Sequence, residues 1–182
     1  ADLDKSIIKE IGELVKFSRQ HYEQYDFHNP AVMARHFMWE TFASHYLELA
    51  KNRAYNQHGK FDKWEQESAV FTLHYCLNTL LRLLAPVIPF VTSHIYKEIY
   101  SKDVHEEIFP KYMVMEGTGI SKDDILELNN AIWKAKKDKS LSLKAEVKEL
   151  VLPEKFRPLE KDILATHSVQ DIEYGYKIQV VV

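Results

Sequence analysis

Cysteine is almost missing from this sequence. Cys76 is the one thiol, so no internal disulfide and no cysteine-based zinc site can form, and a reduced thiol in a core fits an intracellular protein. Glycine and proline are scarce too, at five and six in 182 residues. An all-β sandwich needs more turn residues than this, so the balance favours helices. The same scarcity removes phosphate loops: Gly12 and Gly59 stand alone, and the Gly-Thr-Gly at 117–119 lacks the flanking strand, helix and lysine of a phosphate cradle. No apolar run approaches the roughly 20 residues of a membrane span. The opening ADLDKSIIKEIGELVKF carries charges every few positions, where a signal peptide would have an apolar core. A cytoplasmic location without a membrane partner is therefore expected. Charge of one sign is also lacking: a formal net charge of −3 argues against a free-standing nucleic-acid binder, whose pI is ordinarily basic.

Chemistry-bearing patterns are equally thin. Nine histidines are present, yet no two stand four apart with a glutamate between them, the spacing that gives one helix face two imidazoles and a base for a metal. No metal site is expected. Cys76 falls in an apolar helical stripe with no cation to favour its thiolate, and His74, two residues away, points elsewhere on a helix. The pairs Glu106, Glu107 and Asp123, Asp124 sit at helix starts or in loops, where carboxylates suit the helix dipole. No catalytic residue is expected.

What is present is helix. Residues 3–25 place Ile7, Ile8, Ile11, Leu14, Val15, Ser18, Tyr22 and Tyr25 three and four apart, the buried face of a first helix. Asn29 as N-cap and Pro30 at the first helical position predict a second helix to about residue 55, with Trp39, Phe42, Tyr46, Leu49 and Ala50 inward. Asp62 and Glu65 form a capping box for a third helix, which runs through Val70, Leu73, Leu77, Leu80, Leu81 and Leu84 until Pro86 ends it. APVIPF at 85–90 then reads as a buried corner into a fourth helix, about Phe90 to Tyr100. MEGTGIS at 115–121 reads as a linker, and Ser121 with Asp124 caps a fifth helix reaching about Lys137. EVKELVL, VQDIEY and YKIQVVV alternate as strands do, with RPLEKDILATH as a short helix after the first and Gly175 joining the last two. The expected fold is mainly α: an antiparallel helical bundle over 1–112, then a small α+β subdomain over 113–182 led by a basic helix. Around that helix Lys134, Lys136, Lys137, Lys139, Lys144 and Lys148 are set against only Asp138 and Glu146.

FMWETFASHYLELAKNR (37–53), LNTLLRLLAPVIPFVTSHIYKEIY (77–100) and EEIFPK (106–111) come in an order and spacing that resembles the anticodon-binding helical bundle of class I aminoacyl-tRNA synthetases, the valyl enzymes of archaeal type most of all. That family joins an aromatic-rich helix ending in Tyr-Leu-Glu and a lysine to a leucine helix, a Pro-x-x-Pro-Phe corner and an aromatic-bearing helix. NNAIWKAKKDKSLSLKAEV (129–147) is similar to the segment that follows the bundle in valyl and isoleucyl enzymes. The active-site signatures of the family, His-x-Gly-His and Lys-Met-Ser-Lys-Ser, are missing from the sequence. The resemblance therefore implies a tRNA-binding module without a cofactor of its own; valine activation, with ATP and Mg²⁺, would belong to a catalytic core of the same polypeptide. A helix carrying base-stacking positions is expected upstream of Ala1, and the polypeptide is expected to end near Val182.

On the family pattern the C-terminal half of the second helix faces the anticodon loop. That assigns Leu47 to pack against an unstacked base and Lys51 and Arg53 to meet phosphates or base edges, with His45 at the edge of the site. Lys134, Lys136, Lys137 and Lys139 would add phosphate contacts along the tRNA, here tRNA-Val. The competing readings are an isoleucyl or other class I module, and a helical scaffold whose lysine helix contacts an acidic protein.

Overall fold

The computed structural model describes residues 1–115, 117 and 119–182, so Glu116 and Thr118 of the expected MEGTGIS linker lie outside the described residues. The first helix, α1 (Asp2–Tyr22), buries Leu3, Ile7, Ile11, Leu14, Val15 and Ser18, the face that the three-and-four spacing predicts. Tyr25 leaves that stripe. It is 85% exposed because the helix has already ended at Tyr22 and the chain turns through a positive φ of 61° at Tyr25.

Asn29 is not the N-cap of the next helix. α2 (His28–His36) begins one residue ahead of it, and the capping carboxylate is Asp26, which accepts from the Asn29 backbone N–H at 3.1 Å and from its side-chain amide at 2.5 Å. The helix then continues through a π-helical stretch (Phe37–Tyr46) into α3 (Leu47–Tyr55), with helical dihedrals at both joints. The π stretch corrects the expected inward face. Its wider turn, seen in the Leu47 N–H bonding to the Phe42 carbonyl and in Ser44 Oγ donating to the Trp39 carbonyl, turns Phe37, Thr41, His45 and Tyr46 inward. Trp39 is left 67% exposed.

α4 (Lys63–Leu84) starts at the Asp62 and Glu65 capping box and stops just before Pro86, both as expected. The corner after it is not buried. Val87, Ile88, Phe90 and Val91 all lie on the surface, Phe90 at 89% exposure. α5 (Pro89–Tyr100) buries Thr92 and Tyr96 and packs Ile95 and Tyr100 beside them, against a small cluster with Leu81, Ala85 and Val104. The prolines thus set the bend while the turn itself stays outside the core.

α6 (Lys122–Asp138) is capped by Ser121 and Asp124. In the tail, β1 (Val147–Leu152), a 3-10 turn (Glu154–Leu159), α7 (Glu160–His167), β2 (Val169–Tyr174) and β3 (Gln179–Val181) form a three-stranded sheet of order β2-β1-β3. β1 pairs parallel with β2, from Val147 opposite Val169 to Leu152 opposite Tyr174. β1 pairs antiparallel with β3. The last two strands therefore flank β1 rather than each other, because α7 supplies the crossover that a parallel pair requires. The core is continuous across both parts of the chain: Leu3, Ile11, Tyr46 and Leu80 join Leu128, Leu150, Phe156 and Ile163 in one cluster. Among the described residues no helix is long and apolar enough to cross a membrane.

Candidate nucleic-acid interface

Helix α3 sends its cations in opposite directions. Arg53, expected at a phosphate, is 1% exposed. Its Nη1 and Nη2 donate to the two carboxylate oxygens of Asp4, each at 2.7 Å, and its Nε donates to Asp162 at 3.0 Å. Asp4 also accepts from the Tyr46 hydroxyl at 2.8 Å and from Ser68 at 2.5 Å. Arg53 is a core cation, unavailable to RNA, because two buried carboxylates from α1 and α7 would be stranded without it. Burial works against charge on Asp4, but the Arg53 fork outweighs it and holds that carboxyl below its usual range. Asp162 takes only one bond from the shared guanidinium, so burial dominates and pushes it up to about 6.

Leu47 and Lys51 point the other way. They line a cleft of about 240 Å³ between α3 and α4, together with Tyr55, Val70, Leu73 and His74. Tyr55 is 73% exposed, and Lys51 forms a surface pair with Glu48 at 2.5 Å. The cleft offers what an unstacked base needs: an apolar floor, an aromatic ring and a cation at the rim. Tyr55 and His74 were not expected here. Each stands at helical spacing from a cleft residue, Tyr55 four after Lys51 and His74 four after Val70, but only the pairing of α3 with α4 brings the two rows together.

The lysine cluster divides as well. Lys136 is fully buried and corrects the expectation of a phosphate contact: its Nζ donates to the carbonyls of Leu143 at 2.9 Å and His167 at 3.1 Å. It ties the loop after α6 to the end of α7. Lys139 donates to the Val182 carbonyl at 2.7 Å. Lys134 and Lys137 remain exposed and have no ion pair among the described residues.

His45 is buried rather than at the edge of a site. Its Nδ1 accepts from the Asn129 amide at 3.1 Å, and the Asn129 carbonyl accepts from His167 Nε2 at 2.9 Å. That chain makes His45 a neutral ring with its proton on Nε2 and makes His167 Nε2 a donor. Burial lowers His45, and burial together with the Lys136 charge pushes His167 down to about 4. The outer face of His45 stacks on Trp133, with ring centroids 5.1 Å apart. Cys76 is buried as expected, and burial pushes its thiol well above the usual range. No group of three or more His, Cys, Asp or Glu able to hold a metal occurs among the described residues.

The family described as the anticodon-binding domain of tRNA ligase matches residues 4–152. The chain is 33% identical over 178 residues to a valine-tRNA ligase of Pyrobaculum aerophilum, covering 96% of this chain and 22% of that protein. A valine-tRNA ligase of Rickettsia felis is 32% identical over 188 residues, across 98% of this chain and 22% of its own length. That of Archaeoglobus fulgidus is 31% identical over 175 residues, across 94% of this chain and 20% of its own length. The chain thus spans about a fifth of the length of the curated relatives it matches. With a helical bundle and a family match over most of its residues, the chain belongs to the anticodon-binding domains of class I tRNA ligases and is homologous to the valine-tRNA ligases.

Proposed function

We propose that this chain reads the anticodon end of tRNA-Val as part of a valine-tRNA ligase. The observation that carries this reading is the α3–α4 cleft, where Leu47, Lys51, Tyr55 and His74 converge. A splayed anticodon base packs on Leu47 and the Tyr55 ring, and Lys51 exchanges its surface partner Glu48 for a phosphate or a base edge. Such contacts position the tRNA; they do no chemistry. Valine activation with ATP and Mg²⁺ is assigned to a catalytic core of the same polypeptide, in the cytoplasm.

The test is amide chemical-shift mapping of the chain titrated with an RNA hairpin carrying a valine anticodon. Shifts gathered at Leu47 to Tyr55 and at His74 are the expected result. A hairpin with an isoleucine anticodon producing the same shifts at the same concentrations would remove the valine assignment, and no shifts in the cleft with either RNA would remove the anticodon reading. The exposed corner at Ile88, Phe90 and Val91 favours a protein contact as a second reading. Shifts confined to that corner on adding a protein partner would support it.

A further inference from the structure

A second cleft, on the other side of the helix that carries His45 and Leu47, has the makings of a nucleotide site. It measures about 890 Å³ and is lined by Asn130, Trp133, Lys134, Lys137, Leu141 and Leu143, with Ser140. Asn130, Trp133, Lys134 and Lys137 stand three and four apart on α6, so they share one face. The site is built rather than incidental. Trp133 is backed by His45, which Asn129 and His167 hold from behind. The loop bearing Leu141 and Leu143 is anchored by the buried Lys136 amine on the Leu143 carbonyl, and by the Leu141 N–H on the Lys136 carbonyl at 2.9 Å. In consequence the indole, half-buried by its own support, presents a fixed ring to the cleft. Unlike Lys136 and Lys139, the two lysines beside it have no partner for their side chains among the described residues, and a bare pair of cations next to an aromatic ring is complementary to an anion that carries a base.

We propose that this cleft binds one unpaired nucleotide of the RNA, its base stacked on Trp133 between Leu141 and Leu143, its phosphate at Lys134 and Lys137, and the Asn130 amide at the base edge. The ligand being RNA rests on the anticodon reading, whereas the geometry of the cleft does not. The two sites flank one helix: His45 supports Trp133, and Leu47, two residues on, lines the first cleft. A helix is about 10 Å across with its side chains, a span that a few nucleotides of single strand cover.

Trp133 itself is the probe. Trp39 and Trp64 are exposed at 67% and 78%, so Trp39→Phe with Trp64→Phe leaves Trp133 as the one indole without touching the core. Its emission is followed while the protein is titrated with the valine-anticodon hairpin and, separately, with single-stranded oligouridylate, the affinity being read from labelled RNA. Saturable quenching with the midpoint of hairpin binding is expected. In the otherwise unaltered chain, Trp133→Leu should weaken binding on the order of tenfold and Trp133→Phe much less. Lys134→Ala and Lys137→Ala should each flatten the salt dependence by about one unit. A hairpin that binds without changing Trp133 emission, and equally well to the Trp133→Leu chain, overturns the site and leaves the anticodon reading standing. Quenching by oligouridylate but not by the hairpin keeps the site and overturns the anticodon reading. No response to either RNA overturns both, and quenching by polyglutamate as strong as by RNA overturns the nucleotide in favour of an acidic protein.

Discussion

Lys51 and Arg53 stand two positions apart and carry the same charge, but their surroundings give them opposite energetics. The Lys51 ammonium and its partner Glu48 are 41% and 43% exposed, so their pairing is worth little and is easily traded for a phosphate. Arg53 is fully desolvated with two carboxylates on it, so removing it leaves buried charge uncompensated. Lys51→Ala is expected to leave the unfolding midpoint in urea unchanged and to flatten the salt dependence of RNA binding by about one unit. Arg53→Met is expected to cost about 3–5 kcal/mol of stability in urea unfolding; a loss of less than about 1 kcal/mol would show that the cluster is not the anchor proposed here. Part of this was legible in the sequence. Arg53 falls four residues after Leu49, on the inward stripe of its helix, and Asp4 falls three before Ile7 on that of α1. What the sequence does not carry is that these two stripes meet, which depends on packing between helices distant in the chain.

At the scale of elements, the helices were legible where a 3.6-residue period or a capping box marked them, the period in α1, the cap in α6 and both in α4. The second helix shows where such reading stops. An i→i+5 stretch has no propensity signature of its own, and a 3.6 period laid across Phe37–Tyr46 turns Trp39 inward where the wider turn sends it out. The alternating strands were also legible, but alternation gives a face and not a neighbour, so the pairing of β3 with β1 was not. Gly175 now explains itself. A Cβ built there would lie 2.9 Å from Val151 Cγ1, so the residue is glycine because the chain leaving β2 passes against β1. Since Val151 is branched and stiff at χ1, Gly175→Ala should cost about 1–3 kcal/mol in thermal unfolding. Val151→Ala in the same chain should recover much of it. Additive losses in that double-mutant cycle would mean that the two side chains do not collide.

For the molecule as a whole, α7 is the hinge pin between helices and sheet, because both buried polar clusters end on it. Asp162 takes Arg53 from α3 near its start, and at its end His167 meets Asn129 through its ring and Lys136 through its carbonyl. The two titrate in opposite senses. His167, ordinarily near 6.5, is pushed down to about 4; its neutral form is the folded one, so its contribution is complete above pH 6.5 and is lost as pH falls through 4. Asp162, ordinarily near 3.8, is pushed up to about 6; the fold favours its protonated form, so stability is highest below 3.8 and is lost as pH rises through 6. Each swing is about 3 kcal/mol, and over pH 4 to 6 they nearly cancel. In the intact chain these two should therefore largely offset each other in that window, leaving the gentler rise with pH that the buried, lowered His45 adds. Asp162→Asn keeps an acceptor for Arg53 and exposes the histidine, so stability should climb with pH from 4 to 6.5. His167→Gln keeps a donor for Asn129 and exposes the carboxylate, so stability should decline from pH 4 to 6. Urea unfolding at half-unit pH steps separates the three profiles, and variants that run parallel to the intact chain would mean that neither group carries its charge state into the fold.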